Sequence, residues 1–272
     1  MKWEVTLAEI MIMAYFALVS ILCVIIFILP VNVHESLKVR SDRWNFLVFF
    51  TSIFVHSDLE HLLGNILAFH LLGSIVYKIN QKSNREKRLF VSFLLAISLL
   101  PLIYNALFVL LTIFVIRQPL VSCGLSIVVA GILGLVVPSL GIFLKEILQN
   151  ERDAGYFLIS LMFLTASAIT AYTGNGAFQL AFFAVTFTVG STLLLYVGRK
   201  MVNSVNQSLN AKRKISFASI TIAIYFVFLS FLFPSNIITP EGNIVNIFAH
   251  FVGVFYGIIS GIYTLNLFPK AK

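Results

Sequence analysis

Charge is what this 272-residue sequence has least of. Only 11% of its residues are Asp, Glu, Lys or Arg, less than half of the roughly one quarter that keeps a soluble domain's surface wet. The formal charge of +8 falls in a few connecting stretches, so it makes no nucleic-acid patch. Cysteine is also scarce: Cys23 and Cys123 both lie in apolar stretches and form no disulfide framework. Glu60-His61 has no second histidine at the spacing of a His-Glu-x-x-His motif, so a zinc protease is not expected. Paired intramembrane aspartates are missing, as are the acidic residues that proton-coupled transporters use, and no inverted repeat is visible. The first residues, Met1-Lys2-Trp3-Glu4, have neither the basic region nor the cleavage site of a signal peptide, so the first span is expected to stay attached.

Apolar residues are what is there: 59% of the chain, with a mean hydropathy of +0.97. They come in runs of about twenty, the length that crosses hydrocarbon as a helix. A β-barrel would alternate apolar and polar residues instead. The expectation is a single all-α polytopic membrane domain over 1–272, with spans at 10–29, 61–77, 89–116, 122–143, 156–172, 178–197, 217–233 and 244–267. Pro30 ends the first span, Pro101 and Asn105 interrupt the third, and Thr173–Gly176 and Pro234–Asn243 are turns. The 30–60 connection holds a mainly apolar ten-residue run, Phe46–Val55, too short to cross and read as an interfacial segment with Trp44 at headgroup level. With the N-terminus cytoplasmic, fifteen Lys and Arg lie inside and four (Lys38, Arg40, Arg43, Arg117) outside. That asymmetry sets the orientation.

The span opening Cys123-Gly124-Leu125-Ser126 carries Gly131 and Gly134 one turn apart. A small-residue stripe of this kind lets another helix approach closely. The last span has Gly253, Gly257 and Gly261 at intervals of four, with His250 one turn before them. Both spans run inward from the outer side, so Ser126 and His250 share a depth. Serine is a poor nucleophile unless a base stands within hydrogen-bond reach, and His250 is that candidate. No aspartate lies in a span, so a dyad is the most these residues can make. His61 and Asn65, four apart on one helix face at the same level, are candidate donors to a developing oxyanion. The plainer alternatives are a serine bonded back to its own helix, a histidine on a nearby carbonyl, and interhelical bonds from His61 and Asn65.

These motifs resemble those of the rhomboid intramembrane serine proteases. Thr51-Ser52-Ile53-Phe54-Val55-His56 followed by His61-Leu62 and Asn65 is similar to that family's second-helix signature. Gly124-Leu125-Ser126 with Gly131 and Gly134 resembles the nucleophile motif, and Ala249-His250 with Gly253 and Gly257 the histidine helix. The resemblance implies a six-helix core with two extra spans. It implies Ser126 as nucleophile, His250 as base, and His61, Asn65 and the Ser126 amide as oxyanion hole. His56 would support the first loop. Expected substrates are transmembrane or juxtamembrane protein segments, cut with water and without a cofactor or metal in a bilayer, here a prokaryotic plasma membrane. Two departures stand out: Ile127 replaces the usual glycine and would crowd the site mouth, and Ala130 replaces an aromatic that packs on the histidine. Phe251, Tyr256 or another ring would have to take its place. Of the three spans between serine and histidine, 217–233 is expected to be the gate helix and 156–197 an inserted hairpin. The rival reading is a proteolytically inactive relative that binds or chaperones membrane helices. A transporter or channel is a more distant one.

Overall fold

A computed structural model describes residues 6–148, 150–173, 176–205, 209–233 and 246–265. Among the described residues, eight helices are long and apolar enough to span a membrane: α1 (Leu7–Phe27), α4 (Leu59–Lys82), α5 (Glu86–Leu111), α6 (Ser126–Leu148), α7 (Glu151–Thr173), α8 (Ala177–Val205), α9 (Leu209–Leu232) and α10 (Ile247–Thr264). Between α1 and α4 lie two short helices, α2 (Val31–Ser36) and α3 (Val48–Thr51), and a two-residue strand β1 (Val39–Arg40). β1 pairs antiparallel with β2 (Val121–Ser122), which ties the first connection to the chain entering α6. The expected interfacial segment is thus α3 and the 3-10 turn that follows it, Ser52–Phe54, with exposed Trp44 stacked on Phe49.

The helix α6 is the axis. Its most apolar stretch lies wholly inside the protein, covered by α4, α5 and α10 on one side and by α7 and α9 on the other. That suits a helix apolar all round. Lipid-facing apolar side chains fall instead on the outer helices, most of all on α8, where Phe178, Leu180 and Leu195 are exposed.

The third span is not interrupted. Pro101 sits inside a continuous α5, as membrane helices allow when neighbours satisfy the freed carbonyl. Asn105 is a tie and not a break: its buried amide donates to the Phe49 carbonyl and to Ser52 Oγ, at 2.9 and 3.2 Å. Several helices, α4 and α7 to α9 among them, run longer than hydropathy suggests. α7 begins at Glu151 and so takes in Asp153, whose buried carboxylate accepts from Lys200 of α8 at 2.8 Å. Of the expected turns, Pro234–Asn243 and Gly174–Asn175 lie outside the described residues.

Candidate active site

Ser126 is the first residue of α6, so its amide is one of the helix N–H groups without an intrahelical acceptor. Three bonds shape the chain before it. Gly124 donates to the Ser52 carbonyl at 2.9 Å. Leu125 donates to His56 Nε2 at 3.4 Å, and His56 Nδ1 faces the Phe54 carbonyl at 3.2 Å. A carbonyl only accepts, so Nδ1 bears the proton and Nε2 the lone pair. Burial, and secondarily His61, push the His56 pKa down to about 4, in keeping with a neutral ring. His56 therefore braces both the first connection and the turn into α6. Gly124 adopts φ +114°, open to glycine and strained for any side chain.

The hydroxyl of Ser126 differs from several others in the spans. Ser98, Thr165, Thr186 and Thr221 each donate to the carbonyl four residues earlier, at 2.6 to 2.9 Å. This is the ordinary fate of a membrane hydroxyl. Ser126 stands at a helix start, with no preceding turn of its own to bond. Among the described residues its hydroxyl has no hydrogen bond, and none joins it to His250.

Across Gly124 lies His61. A Cβ built on Gly124 would stand 3.0 Å from His61 Cε1 and 3.9 Å from Ser126 Oγ, so the glycine leaves the room between these two groups. Asp58 caps α4 by accepting from the His61 amide at 2.7 Å. Ser57 donates to the Asp58 carboxylate at 2.6 Å and lies 3.3 Å from His61 Nδ1. The Ser57 hydroxyl and the His61 amide together hold the Asp58 carboxyl below its ordinary range. Asn65, one turn on and 8% exposed, carries a buried Nδ2 with no hydrogen-bond partner.

α10 lies along α6 in parallel, with little but glycine between the backbones. A Cβ at Gly253 would meet the Ile127 carbonyl at 2.6 Å; at Gly257 it would run into the Gly131 carbonyl, and at Gly134 into that of Val254. The contacts step by about four residues on each helix. One turn back along this register, His250 comes level with the start of α6. His250 is 5% exposed. Its Nδ1 donates to the Leu232 carbonyl of α9, and the Phe233 ring stands edge-on to it, centroids 6.1 Å apart at 83°.

Asn246 caps α10, accepting from Ala249 at 3.0 Å, and its amide donates to the Tyr104 hydroxyl of α5. Tyr104 in turn bonds Ser122 at 2.7 Å, so one buried network ties the starts of α6 and α10. Asn246 before an apolar run reads as a cap in the sequence. Leu232, Phe233, Tyr104 and Ser122 gave no sequence signal.

Two expectations change. Ile127 does not crowd an open mouth: its side chain is 2% exposed and belongs to the core. Phe251 packs on Phe255 at a tilt and Tyr256 donates to the Leu95 carbonyl of α5; the ring beside His250 is Phe233. Among the described residues no three His, Cys, Asp or Glu side chains converge as metal ligands would.

The Rhomboid domain family model matches residues 43–184, taking in His56, His61, Asn65 and Ser126 and ending before α9 and α10. No curated protein and no solved structure matches the chain.

Proposed function

Because this chain belongs to the rhomboid family, we propose that it is an intramembrane serine endopeptidase. It cuts transmembrane or juxtamembrane segments of other membrane proteins. Ser126 Oγ attacks the scissile carbonyl while His250 Nε2 takes its proton. The tetrahedral oxyanion is met by the Ser126 amide, by His61 and by Asn65 Nδ2. The imidazolium then protonates the leaving amine, and water releases the acyl group by the same steps in reverse.

The observation that carries this reading is the Ser126 hydroxyl, left without a bond at a helix start beside His61. A serine kept for packing is ordinarily satisfied locally, as the hydroxyls of Ser98, Thr165, Thr186 and Thr221 are. The orphaned Asn65 Nδ2 supports the same reading, because a buried donor without a partner is costly unless something arrives to accept from it. The missing Ser126–His250 bond is consistent with a resting site, since catalytic hydrogen bonds often close only around substrate.

The test is cleavage of a generic transmembrane substrate by the purified protein in liposomes, against Ser126→Ala and His250→Ala. Each variant is expected to lose about a thousandfold or more in rate. Wild type no faster than the variants over a panel of substrates would overturn the protease and put helix binding in its place.

A further inference from the structure

A serine–histidine pair works only while the imidazole offers a lone pair to the hydroxyl. In a triad a carboxylate accepts from the far nitrogen, which sets the tautomer and stabilises the imidazolium. Among the described residues no carboxylate touches His250. What its Nδ1 meets is backbone, the Leu232 carbonyl. Leu232 is the last residue of α9, and the last four carbonyls of a helix lack intrahelical donors and form its negative end. The carbonyl one turn earlier, at Leu229, is closed by the Phe233 amide at 3.1 Å; that of Leu232 is turned to the histidine. Phe233, fully buried, sets its ring against the imidazole from the same helix end.

We infer that the C-terminal end of α9, through the Leu232 carbonyl and the Phe233 ring, is the positioning element of His250. It occupies the place that a carboxylate takes in a triad. The chemistry rests on the protease reading; the tautomer rests on geometry alone. Since a carbonyl only accepts, Nδ1 keeps its proton and Nε2 stays free. When the Ser126 proton moves to Nε2 and the Oγ–carbon bond forms, the positive charge develops against the negative end of α9. When that proton passes to the leaving amine and the carbon–nitrogen bond breaks, the ring returns to the same tautomer. The ring at 233 also fills the role left open by Ala130.

The helix that does this is itself held at two points along its length. Tyr225 of α9 bonds Thr165 of α7 at 2.7 Å, and Lys82 of α4 lies 3.9 Å over the Phe217 ring near the start of α9. The α7–α8 pair thus buttresses the positioning element. Among the described residues, the titratable side chain of another element that acts electrostatically on His250 is His61 of α4.

Two measurements test this in the full chain. The first is nitrogen NMR of histidine-labelled protein in nanodiscs, with His250 assigned by a His250→Gln variant. A protonated Nδ1 and a bare Nε2 are expected at neutral pH; an Nε2–H tautomer overturns the inference. This readout needs no proteolysis, so a protein that cleaves nothing yet shows this tautomer sinks the protease reading and leaves the α9 contact standing. The second replaces the amide between Leu232 and Phe233 by an ester, which weakens the Leu232 carbonyl as an acceptor. The control is an ester one residue earlier, which removes a helix amide and spares that carbonyl. The first ester is expected to lower kcat about tenfold at unchanged KM. It should also move the acid limb of the kcat profile to lower pH, because an imidazolium deprived of its acceptor loses its proton more readily. The control should leave both near wild type. Equal losses in the two esters, or an unmoved limb in the first, overturn the inference.

Discussion

Asn65 spends a buried amide on nothing in the resting protein, and that separates stability from activity at one residue. Asn65→Ala removes a donor that has no partner, so folding loses no bond while the transition state loses one. The expected result is kcat down by about 10²–10³ with an unchanged or higher Tm, read from cleavage assays and thermal unfolding side by side. His56 is the opposite case. Its ring already receives Leu125 and serves Phe54, and its pKa sits at about 4 against an ordinary 6.5. Between those values the unfolded chain binds the extra proton and the folded one does not. Stability is therefore fully present above about pH 6.5, falls as pH drops toward 4, and levels off below. The whole step is at most about 3 kcal/mol. Denaturation across that window, compared with His56→Gln, should show the slope in wild type and its loss in the variant.

At the scale of elements, the contact between α6 and α10 decides whether the serine and histidine helices share a level. It depends on glycine because backbone, not side chain, faces backbone: a Cβ on Gly257 would meet the Gly131 carbonyl and the Gly134 Cα. Gly257→Ala must push the helices apart, costing about 1–3 kcal/mol together with activity. Gly198→Ala, whose Cβ meets nothing within 4 Å, is expected to leave both unchanged. Tm and turnover of the two variants decide it. The spacing of these glycines, and with it the pairing of the two helices, was legible in the sequence because a period of four has one structural meaning in a bilayer. The positioning of His250 was not, since Leu232 acts through a carbonyl that every residue possesses. Nor was the brace at His56–Leu125, which joins residues 69 apart. The reading of Pro101 as a break failed because a breaker's cost is set by its neighbours, and α5 has them.

For the whole molecule, the eight spans among the described residues follow from hydropathy, while their direction is an expectation drawn from the placement of lysine and arginine. With the N-terminus inside, Arg117→Cys should label with an impermeant maleimide on intact cells. Lys87→Cys should label only after permeabilisation. The reverse pattern would turn the molecule over and put the Ser126 end on the cytoplasmic side. What hydropathy does not reveal is which helix ends up inside. α1 is as apolar as α6, yet one faces lipid and the other does not, because burial is decided by the small residues that let α10 close on α6.

That encasement has a bearing on how the protein is made. α4 and α5 leave the ribosome before α6, whereas α7, α9 and α10 leave after it, the last of them more than a hundred residues later. At typical elongation rates this is a delay of roughly ten seconds. Throughout it, Ser126 waits without His250. On the protease reading proposed above, the nascent chain cannot yet cut the proteins being inserted around it, and the order of synthesis keeps the time.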